Sequence, residues 1–249
     1  MSDTTNTDFP TVVLVHGAFA DASSWNGVIE RLQAKGVSVT APANPLRGIA
    51  ADSAYLAAVL AQIEGPVVAV GHSYGGAVIT NAATEATNVV GLVYVAAFAP
   101  DEGETLSAVE AGSKDSVLNS ALVPRQYPTG GGGSATEFYI DPAKARDAFA
   151  GDLSDWQAAL IAATQRPVAD AAFGEPNGPP AWKHLPSWAV VATADKAAGT
   201  DVTRSMAERA GVKITEVDGS HVIMVSQPEA VTNVILEAVA AVTAAPVGA

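Results

Sequence analysis

The stretch Val67–Ala83, VVAVGHSYGGAVITNAA, changes character twice. Val67–Val70 is an apolar run rich in β-branched residues, the composition of a strand buried on both faces. Gly71-His72-Ser73-Tyr74-Gly75 then turns, and small residues that a helix tolerates follow. A serine among glycines at the joint of a strand and a helix has two readings. The glycines make an ordinary tight turn, or the turn exists to hold one hydroxyl out. The five residues fit G-x-S-x-G, whose central residue takes a strained backbone conformation and needs small neighbours to avoid clashes. The strand before it and the helix after it are the context this pattern requires. A hydroxyl held there sits at a helix N-terminus, where free N–H groups and the dipole favour developing negative charge.

The same strand–helix alternation runs outward in both directions. TVVLVHGAF (11–19), VSVTAP (37–42), PVVAVG (66–71) and VVGLVYVAAF (89–98) read as strands. Between them, DASSWNGVIERLQAKG, with Asp21 or Ser23 as cap and Gly36 as stop, and ADSAYLAAVLAQIEG, with Asp52 as cap, read as helices. Apolar strands alternating with helices indicate an α/β fold with a parallel sheet covered on both faces. The rhythm breaks over residues 100–186, which are richer in Pro, Gly and charge. DPAKARDAFAG and LSDWQAALIAAT look helical there and no strong strand is evident, so a mainly helical insertion is expected. Gly130–Gly133 reads as a mobile loop. Alternation resumes with SWAVVATAD, DVTRSMAERAG, VKITEVDGSH and QPEAVTNVILEAVAAV. The expected organisation is a core over residues 1–99 and 187–249, interrupted by an insertion over 100–186.

Composition limits the function. The 249 residues carry a net charge of −13, which repels phosphate backbones and argues against nucleic-acid binding. The chain has no cysteine, which removes disulfides, thiolate chemistry and cysteine-ligated metals. MSDTTNTDFP is polar and acidic, unlike a signal peptide. No apolar run approaches the roughly 20 residues that span a bilayer. A soluble, cytoplasmic protein without a membrane partner is the expectation, and a homodimer is left open.

A serine hydroxyl needs a base. Of the four histidines, His16 ends the first strand, His72 adjoins Ser73 with its side chain turned the other way, and His184 lies near the end of the insertion. His221, in DGSHVIM after the last strand, follows both Ser73 and an acid in the order Ser…Asp…His. Asp195 in VVATADK ends the preceding strand and is the first choice to orient that imidazole. Asp101, Glu102 and Glu104 in APDEGET also follow a strand and stay as alternatives. Two N–H donors for an oxyanion are expected from Tyr74, after the serine, and from Ala18, in the loop after the first strand.

Together VLVHGAFADASSW, VGHSYGGAVI, VYVAAFAPDEGE, SWAVVATADK and DGSHVIMVSQPEAV resemble the α/β-hydrolase superfamily. They are similar to the small capped esterases of the plant methyl esterase and hydroxynitrile lyase group and their bacterial relatives. The resemblance covers the core and is weaker in the insertion. It implies Ser73 as nucleophile, His221 as base, Asp195 as acid, a cap at 100–186, a six-stranded parallel sheet, a small carboxylic ester as substrate, and no metal or organic cofactor. A lyase, a cofactor-free oxidative use of the same residues, or a ligand-binding receptor on the fold are the alternatives. The lyases of this group resemble one another in a lysine directly after the histidine and a hydroxyl residue in the first-strand loop. This chain has Val222 and Gly17 there. Lys183 is the cap cation that could fold over the site. Phe138, Tyr139, Phe149, Trp156, Phe173 and Trp182 are candidates to line a pocket, or to fill the cap's own core.

Overall fold

The computed structural model describes residues 9–244; the polar N-terminal segment read above lies, up to Asp8, outside them. From the N-terminal side, β1 (Thr11–Val15), α1 (Asn26–Ala34), β2 (Val39–Thr40), α2 (Ile49–Leu60), β3 (Val67–His72), α3 (Tyr74–Ala82) and β4 (Val89–Val95) alternate. An insertion follows: α4 (Leu106–Glu110), β5 (Leu122–Gly130), β6 (Gly133–Ile140), α5 (Ala145–Phe149), α6 (Asp155–Thr164), β7 (Val168–Ala169) and α7 (Asp170–Gly174). The chain closes with β8 (Ser187–Ala192), α8 (Thr200–Arg209), β9 (Lys213–Val217), α9 (Ile223–Ser226) and α10 (Pro228–Ala244).

The core strands form one sheet in the order β2-β1-β3-β4-β8-β9, with every neighbouring pair parallel. This is the expected six-stranded sheet. All six residues of β3 are buried, because helices cover both faces of the sheet. Each fully buried Val or Leu in β1 and β3 contributes about 1.5–3 kcal/mol by leaving water. The edge strand β2 is far shorter than VSVTAP suggested. Pro42 has no N–H with which to extend a ladder.

The strand order reverses at β1. The chain steps to β2 on one side of it and returns to β3 on the other, with Val15 level with Gly71. Loops leaving the carboxyl ends of strands on either side of such a switch point border a crevice, where ligands of open α/β sheets bind. Gly17-Ala18 leaves one strand and Ser73 ends the other.

The insertion corrects the expectation of no strand there. β5 and β6 form an antiparallel hairpin, extended to three strands by β7. Gly131 and Gly132 make its two-residue turn at φ 58° and 83°, so the glycine run is a hairpin turn and not a free loop. Hairpin turns of this hand need positive φ at both central residues, which glycine adopts without penalty. Pro124 and Pro128 obscured β5 in the sequence, and they are tolerated because β5 is an edge strand. The helical readings are present as α5 and α6. α6 opens on a reciprocal cap in which Ser154 Oγ accepts from Gln157 N–H while Gln157 Oε1 accepts from Ser154 N–H. Trp182 Nε1–H donates to Pro100 O at 3.0 Å, tying the two ends of the insertion together.

Candidate active site

Ser73 sits immediately before α3 at φ 53°, ψ −123°. A non-glycine residue at positive φ costs about 1–3 kcal/mol and persists only where its surroundings fix it. Here Ser73 N–H donates to Val95 O at 3.3 Å, and Ser73 O accepts from Gly76 N–H at 2.9 Å and Phe98 N–H at 3.2 Å. The flanking glycines are steric necessities. A Cβ on Gly71 would lie 2.5 Å from Gly75 O, and one on Gly75 would lie 2.5 Å from Val15 O.

The loop after β1 passes against this turn. A Cβ on Gly17 would lie 2.6 Å from Ser73 Cβ and 2.8 Å from His72 O. Ala18 follows. Among the described residues neither the Ala18 nor the Tyr74 N–H donates to a protein acceptor; for Tyr74 this is the ordinary state of a first helical residue. His16 pins the loop. Its Nε2 accepts Asn44 N–H at 3.0 Å, which leaves the proton on Nδ1 to donate to Gly17 O at 2.9 Å. Asn44 Nδ2–H also donates to His16 O.

His221 and Asp195 meet although 26 positions apart. His221 Nδ1 bonds Asp195 Oδ2 at 2.8 Å, with both side chains out of solvent. Asp195 Oδ1 accepts from Ala197 and Ala198 N–H at 2.9 and 3.0 Å. The carboxylate is thus held at both oxygens and fixes the imidazole's tautomer. No hydrogen bond joins Ser73 Oγ to His221 among the described residues; such bonds are often long before substrate binds. The link between the two is His72. Its ring packs on the His221 ring, with centroids 4.6 Å apart, and its Nε2–H donates to His221 O at 2.9 Å. Sequence reasoning turned His72 away from Ser73 and gave it no role. No local signal marks a bond across 149 positions.

The competing carboxylates are engaged elsewhere. Asp101 pairs with Lys183 at 2.6 Å, and the Lys183 Nζ lies 5.3 Å from the centre of the Trp182 ring. Glu104 accepts from both terminal nitrogens of Arg209, and Glu102 is exposed. His184 is exposed as well.

Burial holds the pKa of His16 below its ordinary 6.5 and that of His72 well below it. Burial therefore favours the neutral form of both in the fold, whereas in the unfolded chain they take protons as pH falls through 6.5. Stability should therefore fall from about pH 7 to about pH 5, with proton uptake on unfolding. Thermal midpoints across that window check this; midpoints that stay level would contradict it.

Phe149 packs on the other side of His221, ring centroids 5.0 Å apart, and meets Phe19 edge-on at 6.2 Å. These two rings line a cleft of about 410 Å³ together with Trp156, Leu160, Ile161 and Val222. Trp156 and Leu160 are 72% and 49% exposed, so the cleft opens to solvent along α6. Of the aromatics of the insertion singled out by sequence, Phe149 and Trp156 line this cleft, whereas Phe173 is buried in packing. A larger cavity, about 670 Å³, lies at the amino ends of β1 and β2 against Pro10, Lys35 and Ala240, remote from Ser73.

The chain matches the model of the alpha/beta hydrolase family over residues 12–234. It belongs to that family. Among solved structures it is similar to polyneuridine aldehyde esterase at 22% identity and TM-score 0.77, over 92% of this chain and 98% of that one. A pyrethroid hydrolase from Sphingobium faniae JZ-2 is similar at 22% identity and TM-score 0.74, over 93% and 98%. A variant of tomato methylketone synthase I complexed with beta-ketoheptanoate is similar at 20% identity and TM-score 0.75, over 94% and 99%. At these identities the likeness is one of fold. A search of the curated proteins finds no match. Among the described residues no helix is long and apolar enough to cross a membrane.

Proposed function

We propose that the protein is a serine hydrolase of small carboxylic esters. The observation that carries the reading is the buried 2.8 Å His221–Asp195 bond at the same strand-end crevice as the strained Ser73 turn. Ser73 Oγ attacks the ester carbonyl and His221 Nε2 takes its proton. Asp195 keeps the His221 proton on Nδ1 and stabilises the imidazolium that forms. The tetrahedral oxyanion accepts from the Ala18 and Tyr74 N–H groups. His221 then gives its proton to the departing alcohol, and a water repeats the cycle on the acyl-enzyme. Residues 100–186 act as the cap, and the cleft along α6 takes the apolar part of a small-molecule substrate. The chemistry needs no metal or organic cofactor, so a chelator should leave turnover unchanged.

Two features favour hydrolysis over cyanohydrin cleavage. Val222, directly after His221, is buried and uncharged, and Lys183 is committed to Asp101, so neither supplies a counter-charge to a departing cyanide. The Gly17 backbone also lies too close to Ser73 for the hydroxyl side chain that the lyases carry there. Purified protein should hydrolyse small esters and release negligible cyanide from mandelonitrile, with Ser73→Ala as blank. Cyanide release above that blank with no ester turnover would reverse the assignment. Ester binding with no turnover at all would favour a receptor.

A further inference from the structure

Asp52 lies inside α2 and is fully buried, yet the mechanism above does not use it. Its carboxylate accepts the Tyr74 hydroxyl at 2.7 Å, Arg47 N–H at 3.0 Å and Gly48 N–H at 3.4 Å. Every partner is a donor. The bonds suit the ionised form, while burial pushes the carboxyl above its ordinary range. Removing a charge from water is expensive, and an apolar pair would join α2 to α3 at less cost. A carboxyl buried at such cost is consistent with fixing an orientation.

What it orients is the residue after Ser73. Tyr74 is fully buried, and its ring is a rigid lever with the hydroxyl pinned at one end and the first N–H of α3 at the other. That N–H is the proposed oxyanion donor; it shares a peptide plane with Ser73 O, which accepts from Gly76 and Phe98 N–H, and the Asp52–Tyr74 bond braces the same residue from its side chain. Asp52 is itself braced. The loop it grips is clamped from the insertion side, where Arg47 pairs with Glu137 at 2.7 Å, Ala169 N–H donates to Leu46 O at 2.9 Å and Glu175 accepts Ala50 N–H at 3.1 Å.

We propose that Asp52 is a positioning residue for the oxyanion hole: through the Tyr74 hydroxyl it braces the Tyr74 N–H, adding a side-chain restraint to the backbone bonds at Ser73 O. The proposal rests on the hydrolase reading. A merely structural bond would change stability alone; a positioning bond changes transition-state stabilisation.

The test uses the full chain as wild type, Tyr74→Phe, Asp52→Asn and the double variant. Folding is checked by circular dichroism, turnover with p-nitrophenyl acetate, and oxyanion binding with phenyl trifluoromethyl ketone. In that inhibitor Ser73 Oγ adds to the carbonyl carbon, its proton passes to His221, and the former carbonyl oxygen carries the negative charge. Tyr74→Phe should fold, keep KM within about twofold, and lose about 10-fold in both kcat and inhibitor affinity. Asp52→Asn should lose in the same direction, and the double variant should be no worse than the poorer single one. A folded Tyr74→Phe with wild-type kcat and inhibitor affinity would overturn the proposal, even if Asp52→Asn fails to fold. Losses that add in the double variant, or that fall on KM alone, would do the same. Wild-type protein without ester turnover would refute the hydrolase reading, and this role with it.

Discussion

Ser73→Ala and His221→Ala should each lower ester turnover by about 10³-fold or more without unfolding the chain. The first deletes one oxygen. The positive φ at residue 73 is imposed by the bonds to Val95, Gly76 and Phe98, all of them backbone and all kept by alanine. The second is harsher on the fold. It leaves Asp195 Oδ2 without its imidazole partner and opens space between Phe149 and His72. Ala197 and Ala198 still donate to the other carboxylate oxygen, so the buried charge is not stranded entirely. Circular dichroism with steady-state turnover separates the two effects. Retained turnover in a folded Ser73→Ala variant would remove the nucleophile assignment.

Asp195→Asn should cost on the order of 10³-fold or more in kcat, while Glu102→Gln stays near wild type. The surroundings of Asp195 say which way an asparagine would point. Two backbone N–H groups already donate to Oδ1, so the amide oxygen takes that place and the NH₂ faces His221 Nδ1. An NH₂ donor there demands an Nδ1 lone pair, which moves the imidazole proton to Nε2, the atom that must accept from Ser73. Glu102 is exposed and touches no part of this arrangement. If Glu102→Gln were the crippling change, the acid would lie after β4 and the assignment of Asp195 would be wrong.

Much of this was written locally in the chain. Apolar β-branched runs separated by helix-like segments specified the parallel sheet, because a strand covered on both faces has no polar side to display. Gly71, Ser73 and Gly75 specified the turn, since small residues flanking a serine between a strand and a helix leave few conformations open. The insertion was read less well. Its hairpin is marked by Gly131-Gly132, but two prolines in β5 imitate a loop, and only the edge position of that strand in the assembled sheet makes them harmless.

The tertiary structure alone decided which groups meet. Several carboxylates follow strands, and the sequence ranks them without selecting one. The return of β8 and β9 to the edge of the sheet brings Asp195 to His221, while Lys183 and Arg209 take up Asp101 and Glu104. The bonds from His72 to His221 and from Tyr74 to Asp52 join residues 149 and 22 positions apart, and no pattern within a turn or a helix encodes either. Side-chain period and turn chemistry reach only a few residues along the chain. Contacts between distant segments depend on where the crossovers lay each strand down and on which loop ends then face one another.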